Sequence, residues 1–183
     1  MHISVFCGSS MPHNSEITME ARKLGRRIAE KGHTLLYGGS NLGLMGEVSG
    51  AALQAGGRVV AVIPTIFCEE IILSQPVSEL IRVRSMAERK EYLIAHSDAF
   101  IALPGGIGTL DEVLEVLVAK QLGQTSDRNA TGMPMVLYNP NGFYDTFLQQ
   151  IEIMGREGFF RSGKAPELIA EADMDKLLES IGC

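Results

Sequence analysis

The segment IALPGGIGTLDEV, Ile101 to Val113, sets a proline, three glycines, a threonine and two carboxylates directly after an apolar run. Two more junctions share this character: CGSS at Cys7 to Ser10 and YGGSNLGLMG at Tyr37 to Gly46. Glycine admits backbone angles and close approaches that side chains forbid. A helix N-terminus offers unpaired amides that receive phosphate oxygens. Three such turns in one chain suit an anionic ligand, although each alone also reads as a tight turn. None ends in the Gly-Lys-Ser/Thr of a P-loop, and no GxGxxG follows the first strand, which removes support for hydride transfer.

Two acidic groups and two basic groups accompany the third turn. Thr109 followed three residues later by Glu112 fits a capping box, with Asp111 adding negative charge to the first helical turn. On that reading the carboxylates only start a helix. Upstream, SMAERKEYLIAHSD (Ser85 to Asp98) brings Met86, Arg89 and Lys90 early into a helix. The helix dipole disfavours cations there. An anionic ligand or a partner carboxylate would offset that cost; alternatively Glu88, Arg89, Lys90 and Glu91 simply face water.

These residues must be held by an ordered scaffold, and the composition supports one. The 183 residues, 45% hydrophobic and 21% charged, suffice for one domain spanning 1–183 with its own core. A formal charge of -6 argues against contact with a nucleic acid polymer. No apolar run reaches the roughly 20 residues of a membrane-spanning helix, and MHISVFCGSS has no signal-type N-terminus. Cys7, Cys68 and Cys183, like the four histidines, are scattered, so neither a metal nor a disulfide framework is expected. The chain reads as cytoplasmic, with no resident cofactor.

Strand-like and helix-like segments alternate. Strands are expected at His2 to Cys7, His33 to Tyr37, Arg58 to Ile63, Leu80 to Val83, Ala99 to Leu103 and Pro134 to Tyr138. Helices are expected at Ser15 to Glu30, Leu44 to Gln54, Met86 to His96, Leu110 to Leu122, Tyr144 to Gly155 and Met174 to Ser180. Short apolar strands separated by such helices predict an α/β, Rossmann-like, doubly wound parallel sheet with helices on both faces. Ligands then bind beyond the carboxyl ends of the strands. In the helix after PGGIGT, the buried face should carry Leu110, Val113, Leu114, Leu117 and Val118, with Asp111, Glu112 and Glu115 turned away. Ala51, Ala52 and Ala55 suggest close packing of the second helix on the sheet. Thr65 to Ser78, with Glu69 and Glu70, reads as either a lid or a surface connection, and Gln124 to Gly132 as an exposed loop.

SMAERK followed by DAFIALPGGIGTLDEV resembles the paired signature, M-x-x-R-K and P-G-G-x-G-T-x-x-E, of the LOG (Lonely Guy) family, cytokinin riboside 5'-monophosphate phosphoribohydrolases and their bacterial relatives. CGSS, YGGSNLGLMG, GRVVAVIP and NPNGFYDTFL extend the resemblance over about Met1 to Phe160. It implies hydrolysis of the N-glycosidic bond of a nucleoside 5'-monophosphate, AMP or an N6-modified AMP, by a homodimer. Carried over by position, Arg89 and Glu112 are the catalytic pair, and Gly105, Gly106, Gly108 and Thr109 surround the phosphate. Met86 and Lys90 are the other matched members, and Ser9 and Gly39 in the earlier turns complete the candidate substrate-binding set. Met86 reads equally as base-lining or as core.

The implied chemistry suits those residue types. Glu112 would stabilise positive charge on the sugar and activate water, while Arg89 holds phosphate or ribose oxygens and keeps Glu112 ionised. If Glu112 also bonds the Thr109 amide, capping and catalysis coexist. The competing reading is a noncatalytic carrier of a phosphorylated nucleotide-like or pterin cofactor. Amino-acid decarboxylation has no support, since nothing marks a pyridoxal-phosphate lysine.

Overall fold

A computed structural model describes residues 1–67, 77–123, 132–160, 163 and 165–182. Among these, seven strands form one parallel sheet: β1 (His2–Phe6), β2 (Thr34–Tyr37), β3 (Arg58–Pro64), β4 (Glu79–Val83), β5 (Ala99–Ala102), β6 (Met135–Tyr138) and β7 (Ile169–Glu171). Their order is β4-β3-β2-β1-β5-β6-β7, every neighbouring pair parallel. The chain winds outward from β1 to β4 and returns to the other side of β1 with β5. The topological switch point therefore falls between β1 and β5, where such sheets open a crevice.

Six helices cover the sheet: α1 (Ser15–Glu30), α2 (Gly43–Gln54), α3 (Met86–His96), α4 (Ile107–Leu122), α5 (Asp145–Arg156) and α6 (Met174–Ser180). Alternation along the strands sorts their side chains between two cores. Ile3, Val5, Ile101 and Leu103 pack with α1, α2 and α6, whereas Phe6, Phe100 and Ala102 pack with α3, α4 and α5. Side chains set several helix starts, each accepting an orphan amide proton. Asn14 accepts from the Glu16 N–H at 2.9 Å, and Ser85 from the Glu88 N–H at 3.2 Å.

Six strands and six helices lie where the sequence places them, to within a residue or two except at one helix start. β7 is an addition, a three-residue edge strand whose ELIAEA context lacks the apolar run that marks the others. The second exception is α4, which begins at Ile107 instead of Leu110. A glycine of α1 lets the backbone of α2 come close: a Cβ on Gly25 would lie 2.1 Å from the Val48 carbonyl oxygen of α2. Ala51 and Ala52 are buried, while Ala55 is exposed. Of the two irregular segments, 68–76 (with Cys68, Glu69 and Glu70) and 124–131 lie outside the described residues, as does Cys183.

Candidate functional site

The early start of α4 changes the role of its first residues. Its N-cap is Gly106, with no side-chain cap, so Thr109 stands inside the first turn and the expected capping box does not form. Asp111 likewise falls beyond the first turn. The buried face is Thr109, Glu112, Val113, Val116, Leu117 and Lys120, whereas Leu114 and Val118 are exposed at 42% and 51%. The face is thus rotated from the one that apolar spacing predicts. Two ionisable groups occupy core positions because each finds a partner: Lys120 Nζ donates to the Met133 carbonyl at 2.7 Å, and Glu112 accepts from Arg89.

Arg89 reaches that carboxylate from the first turn of α3. It is only 8% exposed, Glu112 only 7%, and its Nη2 donates to Glu112 Oε1. Its Nη1 leans toward the Gly38 carbonyl at 3.5 Å. A side chain at Gly38 would intrude on this contact, since a Cβ there would sit 2.7 Å from Nη1. The cost of a cation near the start of α3 is therefore met by a carboxylate, and the water-facing reading of Arg89 does not hold. Lys90 is also paired, its Nζ 2.9 Å from both Asp111 and Glu115. Burial pushes the Glu112 carboxyl up to about 7, the Arg89 guanidinium opposing that rise only in part.

The three glycine turns converge at the switch point. Gly8 N–H donates to the Pro104 carbonyl at 3.3 Å, and Leu44 N–H to the Gly8 carbonyl at 3.0 Å, which joins the turns after β1, β2 and β5. Gly105 is a packing glycine: a Cβ there would lie 2.1 Å from Thr109 Oγ1 and 2.9 Å from the Gly8 nitrogen. Gly106 and Gly108 differ, because among the described residues nothing lies within 4 Å of the place their Cβ would take. Packing among the described residues does not require glycine at these two positions, and both line the crevice.

That crevice is a cavity of about 500 Å³, within the roughly 300–1,000 Å³ of small-molecule sites. Of the sequence candidates, Arg89, Glu112, Ser9, Gly39, Gly106, Gly108 and Thr109 line it; Met86, Lys90 and Gly105 do not. Met86 is half-buried outside the lining. Sequence reasoning missed Cys7 as a lining residue, together with an apolar wall of Met45, Ile63 and Phe67. The available signal was position: Ile63 and Phe67 flank the carboxyl end of β3, three strands from the PGGIGT turn. Burial pushes the Cys7 thiol upward, with the Glu112 charge adding to the effect, so it stays protonated. Among the described residues, no group of three or more His, Cys, Asp or Glu side chains is placed to hold a metal ion.

Comparison with known proteins gives this geometry its relatives. A family model described as "possible lysine decarboxylase" matches residues 45–181. Rice LOG, a cytokinin riboside 5'-monophosphate phosphoribohydrolase, is 42% identical over 157 residues, 86% of this chain and 62% of its own length. Arabidopsis thaliana LOG3, of the same description, is 40% identical over 176 residues, covering 96% of this chain and 79% of its own. The chain belongs to the LOG family. Its sheet is shared more widely: the Moco carrier protein of Chlamydomonas reinhardtii superposes with a TM-score of 0.71 at 25% identity, covering 98% of this chain and 94% of its own. A molybdenum cofactor binding protein of Rippkaea orientalis does so at 0.69 and 23%, with the same coverage. At such identities the likeness speaks for the Rossmann-like fold, while the much closer LOG sequences disfavour the carrier reading of this LOG chain.

Proposed function

We propose that the chain hydrolyses the N-glycosidic bond of a purine nucleoside 5'-monophosphate, AMP or an N6-modified AMP, releasing the free base and ribose 5-phosphate. The observation that carries this reading is the buried Arg89–Glu112 pair on a cavity with two unlike ends. One end is the start of α4, where Gly106, Gly108, Thr109 and Ser9 offer amides, hydroxyls and empty space to a phosphate. The other is the apolar wall of Met45, Ile63 and Phe67, suited to the faces of a base. The distance from β5 to β3 is three strand spacings, about 14 Å at about 4.8 Å each, enough to lay out a nucleotide with its sugar over the acid.

Catalysis then follows from charge. As the C1'–N9 bond lengthens, the sugar gains positive charge and the base negative charge. Ionised Glu112 stabilises the sugar and takes a proton from the attacking water as its oxygen bonds C1'; the departing nitrogen takes its proton from solvent. A base with a value near 7 is half-ionised at neutral pH, close to the optimum for proton transfer. Arg89 holds the carboxylate in place. Among the described residues its buried Nε has no hydrogen-bond partner, leaving a donor for a ribose or phosphate oxygen. Phosphate binding, remote from the broken bond, fixes the sugar over Glu112.

We further propose a homodimer. Ile107, Leu114, Val118 and Leu122 are 88%, 42%, 51% and 42% exposed, and their spacing gathers them on one face of α4. A second copy would cover this stripe, whose start borders the cavity. We also infer a cytoplasmic location, a reading that a nucleotide substrate supports. Among the described residues, no helix is long and apolar enough to cross a membrane.

The test incubates purified protein with AMP, GMP, CMP, UMP and N6-substituted AMP, separating base from ribose 5-phosphate by chromatography. Free purine is expected from the purine monophosphates, and little from the matching nucleosides run in parallel. No base released from any member would refute the hydrolase.

A further inference from the structure

The segment NPNGFYD, after β6, contributes nothing to the cavity lining, yet it is built with unusual care. Asn139 N–H donates to the Glu171 carbonyl at 2.8 Å, and Asn139 Oδ1 accepts the Tyr144 N–H at 2.6 Å. Asn139 Nδ2 in turn donates to Asp145 Oδ1 at 2.8 Å. Asn141 adopts a left-handed conformation with φ 53°, and Gly142 one with φ 72°. The product of this folding is a single buried placement: Tyr144, 2% exposed, donates its phenolic proton to the Leu103 carbonyl at 2.7 Å.

Leu103 is the residue before PGGIGT. Its N–H donates to Phe6 of β1 at 2.9 Å, and the next carbonyl, of Pro104, accepts from Gly8. The β5–β6 register ends at Ala102 with Leu137, so β6 has left before the Leu103 carbonyl. Among the described residues Tyr144 is the donor seen at that buried carbonyl, which would otherwise be left an orphan there. Among the described residues three bonds fix the entry to the turn; two are backbone to backbone, and the third, from Tyr144, can be cut by a side-chain change. Burial raises the phenol, first of all by desolvation, which keeps its proton available for donation.

We propose that Tyr144 is a positioning residue for phosphate: its hydroxyl fixes the Leu103–Pro104 peptide and thereby aims the start of α4 at the substrate's phosphate. This rests on the phosphate assignment above. It places a determinant of substrate binding on a segment that never touches ligand, and predicts a loss confined to one end of the nucleotide. A displacement of about 1 Å can cost about a hundredfold; loss of one anchoring bond among three should cost about tenfold or more.

The test compares wild type with Y144F. Calorimetry gives the Kd of ribose 5-phosphate, competition gives that of adenine, and steady-state assays give kcat and KM for AMP. Y144F should weaken ribose 5-phosphate and raise the KM for AMP by the same factor, leaving adenine affinity unchanged. A general loosening of the fold would weaken both ligands together. D145A, at an exposed residue that steadies Asn139, should show the same split in smaller measure and serves should Y144F fail to fold. Unchanged ribose 5-phosphate affinity, or equal loss for adenine, in the folded variant overturns the proposal. A wild-type protein that binds neither AMP nor ribose 5-phosphate overturns the phosphate assignment itself, and the role of Tyr144 with it.

Discussion

Replacing Glu112 with glutamine removes a group whose surroundings oppose its own charge, and the size of that opposition can be read from stability. The folded-state value lies near 7, against about 4.5 for an unburied glutamate. Since the folded value is the higher, the contribution to stability is fully present below about pH 4.5 and lost as pH rises through about 7. At about 1.4 kcal/mol for each tenfold change in the ionisation constant, the loss between pH 4 and pH 8 is about 3 kcal/mol. E112Q keeps the shape but cannot ionise, so its stability escapes this decline. Other titrating groups are common to both proteins and cancel in the difference. Urea denaturation of wild type and E112Q at both pH values should show wild type losing about 3 kcal/mol relative to the variant, or about 6–12 °C in melting temperature for a chain of this size. Parallel pH–stability curves, with a gap constant to about 0.5 kcal/mol, would refute a carboxyl strained by burial.

The same acid should govern turnover. kcat/KM for AMP should rise about tenfold per pH unit below about 7 and level off above it, as Glu112 becomes ionised; a flat profile from pH 5 to 8 would remove its role as base. R89A leaves the carboxylate buried without its cation, so activity should fall about a hundredfold or more and the residual pH profile should move to higher pH. Activity within a few-fold of wild type would make Arg89 a structural partner only. V118E places a charge in the exposed stripe of α4, and light scattering should report a monomer where wild type is a dimer. A wild-type monomer, or a dimeric V118E, would point the stripe elsewhere.

The fold was legible because strands buried on both faces leave near-continuous apolar runs, as in RVVAVIP, while β7 lacks such a run and passed unseen. Strand order left no mark in the sequence. In the site, the glycine turns and the charged residues were visible as motifs, but their uses were not. PGGIGT contains glycines of two kinds, Gly105 fitted against Thr109 and Gly106 with Gly108 facing space, and spacing cannot separate them. The capping-box pattern at Thr109 and Glu112 was misleading for a physical reason: Gly106 starts the helix three residues earlier, freeing Glu112 for Arg89 of α3. Helical periodicity likewise assigned the buried face of α4 by counting apolar residues, and could not anticipate a core position held by an ion pair. Ile63 reaches the cavity through strand order, which left no mark in the sequence, and Phe67 stands at the start of the segment read as either a lid or a surface connection.

The most direct test of the whole account is a crystal structure of E112Q bound to AMP. The phosphate should rest on the amides at the start of α4, with C1' about 3–3.5 Å from the residue 112 carboxamide or from a water held by it. AMP bound with C1' remote from residue 112, or with its phosphate away from Gly106 and Gly108, would contradict the mechanism.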